Sequence, residues 1–249
     1  MKLERLGVCV VLWSIGSLAF AQNNLPRQEV AQVKARLTAV IDAMGADPAG
    51  YVKEPADFNL PTEFYPAQEK GRFWPVSASV SVNYTDRGIQ ETTANAEQAA
   101  EDFEARYAAA VASGDPNAIA RMSQEILRIS SLSAAAAFSS DAKDDMTVYI
   151  AFNSSPYAAI DPDAVVFERP GVMALRELPD NDEVVVYLDP VALAETETLS
   201  SFTLSTTDGG VSDRIGIYNI MITLDGASED IEAFAQGFDT DAMLAQITR

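Results

Sequence analysis

The sequence predicts an α+β fold: an antiparallel sheet (a meander) packed with an N-terminal helix, a helical hairpin and short C-terminal helices. Three observations carry that expectation. Val76, Ala78, Val80, Val82 and Tyr84 alternate with Ser77, Ser79, Ser81, Asn83 and Thr85, the period-two pattern of a strand with one buried and one wet face. Gly114-Asp115-Pro116 stands between two apolar helical stripes, with each residue suited to end, cap or start a helix. Beyond Met146 the chain becomes a series of short β-forming runs. Their turn signals lie too close together for helical crossovers, so the strands must pair antiparallel.

Residues 1–21 read as a secretory signal. Lys2 and Arg5 form a short basic start, Leu6 to Phe20 is apolar, and Ala19-Phe20-Ala21 is a small-x-small cleavage site that places the cut before Gln22. The apolar stretch is shorter than the about 20 residues a membrane span needs, so no membrane insertion is expected after cleavage. Residues 22–249 then form a single domain, helix-rich over 22–140, strand-rich over 141–225, with a helical tail over 226–249. Pro26 to Met44 repeats apolar residues at Val30, Val33, Leu37, Val40, Ile41 and Met44, one face of an amphipathic helix, and Gly45 supplies its stop. Residues 46–75 carry five prolines among Tyr51, Phe58, Phe64, Tyr65, Phe73 and Trp74. They read as extended chain laid over the body, with the rings as core cover and sugar stacking by Trp74 as the competing use.

The strand at Val76 to Thr85, if it forms a sheet edge, offers its backbone to an extended partner segment. The hairpin follows at about 94–112 and 116–132. Its first stripe is Ala96, Ala99, Ala100, Phe103, Tyr107, Ala110 and Val111, and its second is Ile119, Met122, Ile126 and Ile129. Both are expected to pack on the sheet, with Phe103 and Ile126 in the core. Strands are expected at Met146 to Phe152, Ala164 to Phe167, Val172 to Leu175, Val184 to Leu188, Phe202 to Thr206 and Ile215 to Leu224. Ser228 is the expected cap of a C-terminal helix that buries Ile231, Phe234 and Ala235. A last short helix follows, lined by Met243, Leu244 and Ile247.

Composition then narrows the chemistry. The chain has no histidine and one cysteine, Cys9, inside the leader. Histidine-dependent triads, disulfides, thiol catalysis and zinc sites of the usual ligands are therefore excluded from the exported chain. A cysteine-free exported domain points to the periplasm of a Gram-negative bacterium. With 37 acidic and 17 basic residues the net charge is −20, which disfavours nucleic acid and anionic lipid as partners. The acids are scattered along the chain, as a solubilising surface requires. Cation binding or a basic partner is the sharper reading of the same charge.

No cofactor is expected, and neither is a serine activated by lysine. Calcium is the one metal the composition allows. Its densest oxygen-donor run is Asp180-Asn181-Asp182-Glu183, which makes Asp180, Asp182 and Glu183 the metal candidates. A tight polar turn between strands explains the same run without an ion. Asp141, Asp144 and Asp145 form a second acidic group, and Asp239 and Asp241 a third. Paired acids hydrolyse glycosides when they face each other across a cleft, and Asp102, Glu104, Asp189 and Glu195 qualify equally. Arg169, Arg176 and Arg214 are expected to pair with nearby acids such as Glu168, Glu177 or Asp213. The resulting expectation is a binding or structural module of the envelope, with another envelope protein as its partner. The alternatives are a carboxylate-dependent polysaccharide hydrolase and a calcium-stabilised domain.

Overall fold

The computed structural model describes residues 23–114, 116–137, 143–177, 182–205 and 209–248. The leader, Asp115, Asp141, Asp180 and Asn181 lie outside the described residues. In chain order the elements begin with α1 (Arg27–Ala43) and the short strands β1 (Tyr51–Lys53), β2 (Asp57–Asn59), β3 (Tyr65–Pro66) and β4 (Phe73–Trp74). Next come β5 (Ala78–Asp86), α2 (Arg87–Ser113), α3 (Pro116–Ala137), β6 (Met146–Phe152) and β7 (Tyr157–Ala159). The remainder is β8 (Val165–Arg169), β9 (Val172–Arg176), β10 (Glu183–Leu188), β11 (Ser201–Thr203), β12 (Ile220–Asp225), α4 (Ser228–Gln236) and α5 (Thr240–Leu244).

The main sheet runs β1-β5-β6-β12-β10-β9-β8, with β2 pairing β5 beyond β1. Every pairing in it is antiparallel. Strands β8, β9 and β10 form the expected meander, and β12 returns to fill the place between β10 and β6. One face is lined by Val80, Val82 and Tyr84 of β5, Val148 and Ile150 of β6, Ile222 and Leu224 of β12, and Val184 and Val186 of β10. Helices α1, α4 and α5 close this face with Leu37, Val40, Ile231, Phe234 and Met243. The other face carries a smaller core of Met173, Leu175, Val185 and Tyr187, covered by Ala158 of β7, Phe202 of β11 and Leu193. Strands β7 and β11 pair as a separate ribbon over it. The amphipathic pattern of α1 therefore meets the alternation of the strands, and burial of both apolar sets is the main stabilising term.

Several expectations are corrected. Strand β5 is no edge: β6 flanks it on one side and β1 and β2 on the other. Its backbone is already paired, and Ser79 on the supposed wet face is buried. The proline-rich stretch supplies the two strands that cover it. Helix α2 starts directly after β5, earlier than residue 94. The Asp86 carboxylate accepts the Ile89 N–H at 3.0 Å, so the last strand residue is also the helix cap. Gly114 ends α2 in the left-handed region at φ +67°, as its position predicts. Ser228 is the first residue of α4, and no side chain caps that end.

The helical hairpin joins two adjacent strands, β5 and β6, as their connecting segment. Its helices pack mainly on each other, and α2 reaches the body through β5 and β1. Among its described side chains only Ala96 and Ala110 of α2 are buried on the first helix. Phe103 is half-buried and stacks on Tyr107, with ring centroids 5.8 Å apart. Ile126 is about half exposed. The stripe therefore closes the hairpin on itself and leaves part of its apolar surface in solvent.

Candidate functional site

The acidic candidates divide by environment. Asp182 is exposed, and Glu183 is half-buried opposite Asp225 in the β10–β12 register. Burial is the main cause that raises the Glu183 pKa, and the charges of Glu177 and Asp225 add to it. Asp239 caps α5 by accepting the Ala242 N–H at 3.0 Å. Among the described residues no group of three or more acids is arranged to hold a metal ion.

Of the four carboxylates considered for hydrolysis, Asp102 and Glu104 lie exposed on α2. Asp189 is fully buried. It accepts from the Val191 and Ala192 N–H groups and the Ser205 hydroxyl, each at 2.9 Å, and from the Ser205 N–H. That is a loop-fixing role, which ties the turn at Val191 and Ala192 to the chain at Ser205. Glu195 lines an open hollow of about 450 Å³ together with Glu168, Arg169 and Glu197.

Arg214 and Arg176 pair with acids, as expected, but with acids of helices in place of Glu177 or Asp213. Arg214 holds Glu29 of α1 at 2.8 and 2.7 Å, and this guanidinium keeps the Glu29 carboxyl below its usual range. Arg176 pairs with Glu232 of α4. Arg169 donates to the carbonyls of Gln236 and Phe238 and to the Thr240 hydroxyl, and so closes the C-terminal end of α4. All three tie a strand or loop to a helix.

One spacing runs against the expectation of no serine–lysine pair: Ser140 stands three residues before Lys143. Ser140 lies outside the described residues. The Lys143 ammonium donates to both oxygens of Asp230 at 2.9 Å and sits 5.0 Å from the Tyr51 ring centre. Tyr51 donates to Asp230 at 3.0 Å, and burial, with that carboxylate, raises its pKa well above the ordinary value. This cluster fastens the hairpin's return to the body. It presents neither a free amine nor an acidified phenol.

Among the described residues the hairpin leaves apolar side chains in solvent. Residues of a helix advance by about 100° each, so Ala100, Tyr107 and Val111 lie to one side of the Phe103–Ala110 seam. Antiparallel packing sets Ile126 on the same side, and the Arg106–Glu125 ion pair at 2.7 Å marks the opposite side. Tyr107, Val111 and Ile126 are each about half exposed, and Leu127 is 70% exposed. Glu97, Glu101 and Glu104, all exposed, flank this apolar strip along α2. The sequence carries the strip as part of each helical stripe, but a stripe alone does not say which half faces the other helix. Comparison of the chain with protein-family models, with curated proteins and with solved structures finds no match.

Proposed function

We propose that this protein is an exported, acidic binding module of the bacterial envelope, and that its working surface is the apolar side of the α2–α3 hairpin. The partner is an amphipathic helix with basic flanks on another envelope protein. The observation that carries this reading is the exposed strip of Tyr107, Val111 and Ile126 beside Glu97, Glu101 and Glu104. Apolar residues at helical spacing accept a facing helix, and the acidic flank selects a basic rim. Export is supported by the three-part leader and by a chain without cysteine beyond it.

The test is calorimetry with designed amphipathic helices that share one leucine face and differ only in their polar residues. The lysine-flanked helix is expected to bind at physiological salt, and Ile126→Lys is expected to weaken it by about tenfold or more. Reversing exposed acids of the body, Asp57, Asp163 and Glu197, to lysine should leave that affinity nearly unchanged. Binding that ignores Ile126→Lys but falls with the body variant would reduce the interaction to bulk charge and overturn the proposal. A second reading, a carboxylate-dependent polysaccharide hydrolase, rests on the hollow shared by Glu168, Glu195 and Glu197. Turnover of a glycan panel, lost in Glu195→Gln and Glu197→Gln, would favour it.

A further inference from the structure

We propose a second binding site on another element: Tyr65 and Trp74 form a stacking platform for a neutral saccharide chain of gluco-configured pyranose rings. Tyr65 and Trp74 are register partners across the β3–β4 ribbon, so their side chains leave the same face. Both stay in solvent, Tyr65 at 62% and Trp74 at 44% exposure. Expected core cover would have buried them, and in the same stretch Phe64 does pack against the core, with Phe73 packed on it.

The ribbon is held rigidly from behind. Phe64 and Phe73 meet edge to face at 5.4 Å on the opposite side. The Arg214 guanidinium lies 4.1 Å from the Phe64 ring centre and 5.4 Å from that of Phe73, and Arg214 is itself fixed by Glu29 of α1. Phe73 and Val211 exchange both backbone hydrogen bonds at 2.8 and 2.7 Å, and Arg72 donates to the Gly210 carbonyl at 2.7 Å. Gly210 must be glycine here: at φ +86° a Cβ would fall on that of Ala67 and 2.9 Å from the Phe73 carbonyl oxygen. The outward rings therefore sit on a prearranged support, which lowers the ordering cost of binding.

The chemistry of the face selects its ligand. Strand alternation puts Glu63 beside Tyr65 and Arg72 beside Trp74. The Tyr65 hydroxyl donates to Glu63 Oε2 at 3.3 Å, and Arg72 keeps Glu69 at 2.8 Å. Two apolar ring faces with a carboxylate at one end and a guanidinium at the other match a sugar's C–H face and its rim of hydroxyls. A net charge of −20 and the nearby Glu63 and Glu69 work against polyanionic chains, so the ligand is neutral.

The test exploits the tryptophan count. The sequence holds two tryptophans, Trp13 in the leader and Trp74, so in the chain from Gln22 fluorescence reports on Trp74 alone. Titration with β-linked glucose and N-acetylglucosamine oligomers is expected to give a saturable spectral shift. Tyr65→Ala should weaken that binding by about tenfold, while Tyr157→Ala, another exposed tyrosine, leaves it unchanged. Calorimetry on Trp74→Ala should find binding lost, with the melting curve kept. A shift that survives Tyr65→Ala, the absence of any saturable response at millimolar oligomer, or preference for a proline-rich peptide over the sugars would overturn the proposal.

Discussion

Glu183 shows how a single side chain feels the whole sheet end. Burial first, and then the charges of Glu177 and Asp225, raise its folded-state pKa above the unfolded value. Its contribution to stability is therefore complete below the unfolded pKa and is lost as the pH rises through the folded one. At neutral pH the ionised carboxylate is a liability. Glu183→Gln is expected to raise the melting temperature at pH 7, with the gain shrinking to nothing in acid, below the ordinary glutamate range; a melting temperature unchanged at pH 7 would refute this. Glu29 runs the other way, since its lowered pKa gives stability above the unfolded value that falls away in acid. Neither behaviour was legible in the sequence. Both depend on the fold, on Arg214 far along the chain for Glu29 and on burial in the sheet for Glu183, and one acidic residue looks like another until the sheet register is known. Asp189 was hidden for the same reason: one of the donors that define it, Ser205, belongs to a loop sixteen residues away.

At the scale of elements, long apolar patterns were readable, and the shortest strands and the packing partner of the hairpin were not. Helix α1 and strand β5 each bury one main apolar set, while β9 and β10 are continuous apolar runs buried on both faces; with β6, their residues came out close to their observed bounds. Strands β1 and β2 are three residues long among prolines, too short to show alternation. They form because β5 has an open side to pair with. The hairpin was read correctly as a hairpin, yet its stripe was assigned to the sheet, because packing on a neighbouring helix and packing on a sheet demand the same spacing. That difference is measurable. Ile126→Ala should cost under about 1 kcal/mol, as for a half-exposed side chain. Leu37→Ala, in the fully buried centre of α1, should cost about 2–5 kcal/mol. Equal losses in urea unfolding would return Ile126 to the core. The aromatic stretch divides likewise: Phe64 and Phe73 face inward and Tyr65 and Trp74 outward, a split that follows from strand pairing and is invisible in composition.

For the whole molecule the governing quantity is charge. Described ion pairs such as Arg214–Glu29 and Arg176–Glu232 use several of the few cations to pin helices to the body, and 37 acids outnumber 17 bases about two to one. A chain at −20 carries self-repulsion in its compact state that unfolding relieves. Added salt screens it over about 8 Å at physiological strength, so the melting temperature should rise with sodium chloride. Calcium separates general screening from a specific site. Asp182 and Glu183 are the described members of the calcium candidate, and among the described residues no third acid gathers with them to hold an ion. At matched ionic strength, calcium and sodium should therefore stabilise to a similar degree. A rise specific to micromolar calcium, removed by Asp182→Asn together with Glu183→Gln, would instead show that ion binding draws the acids of this sheet end together and outweighs the burial and repulsion that now disfavour the Glu183 carboxylate.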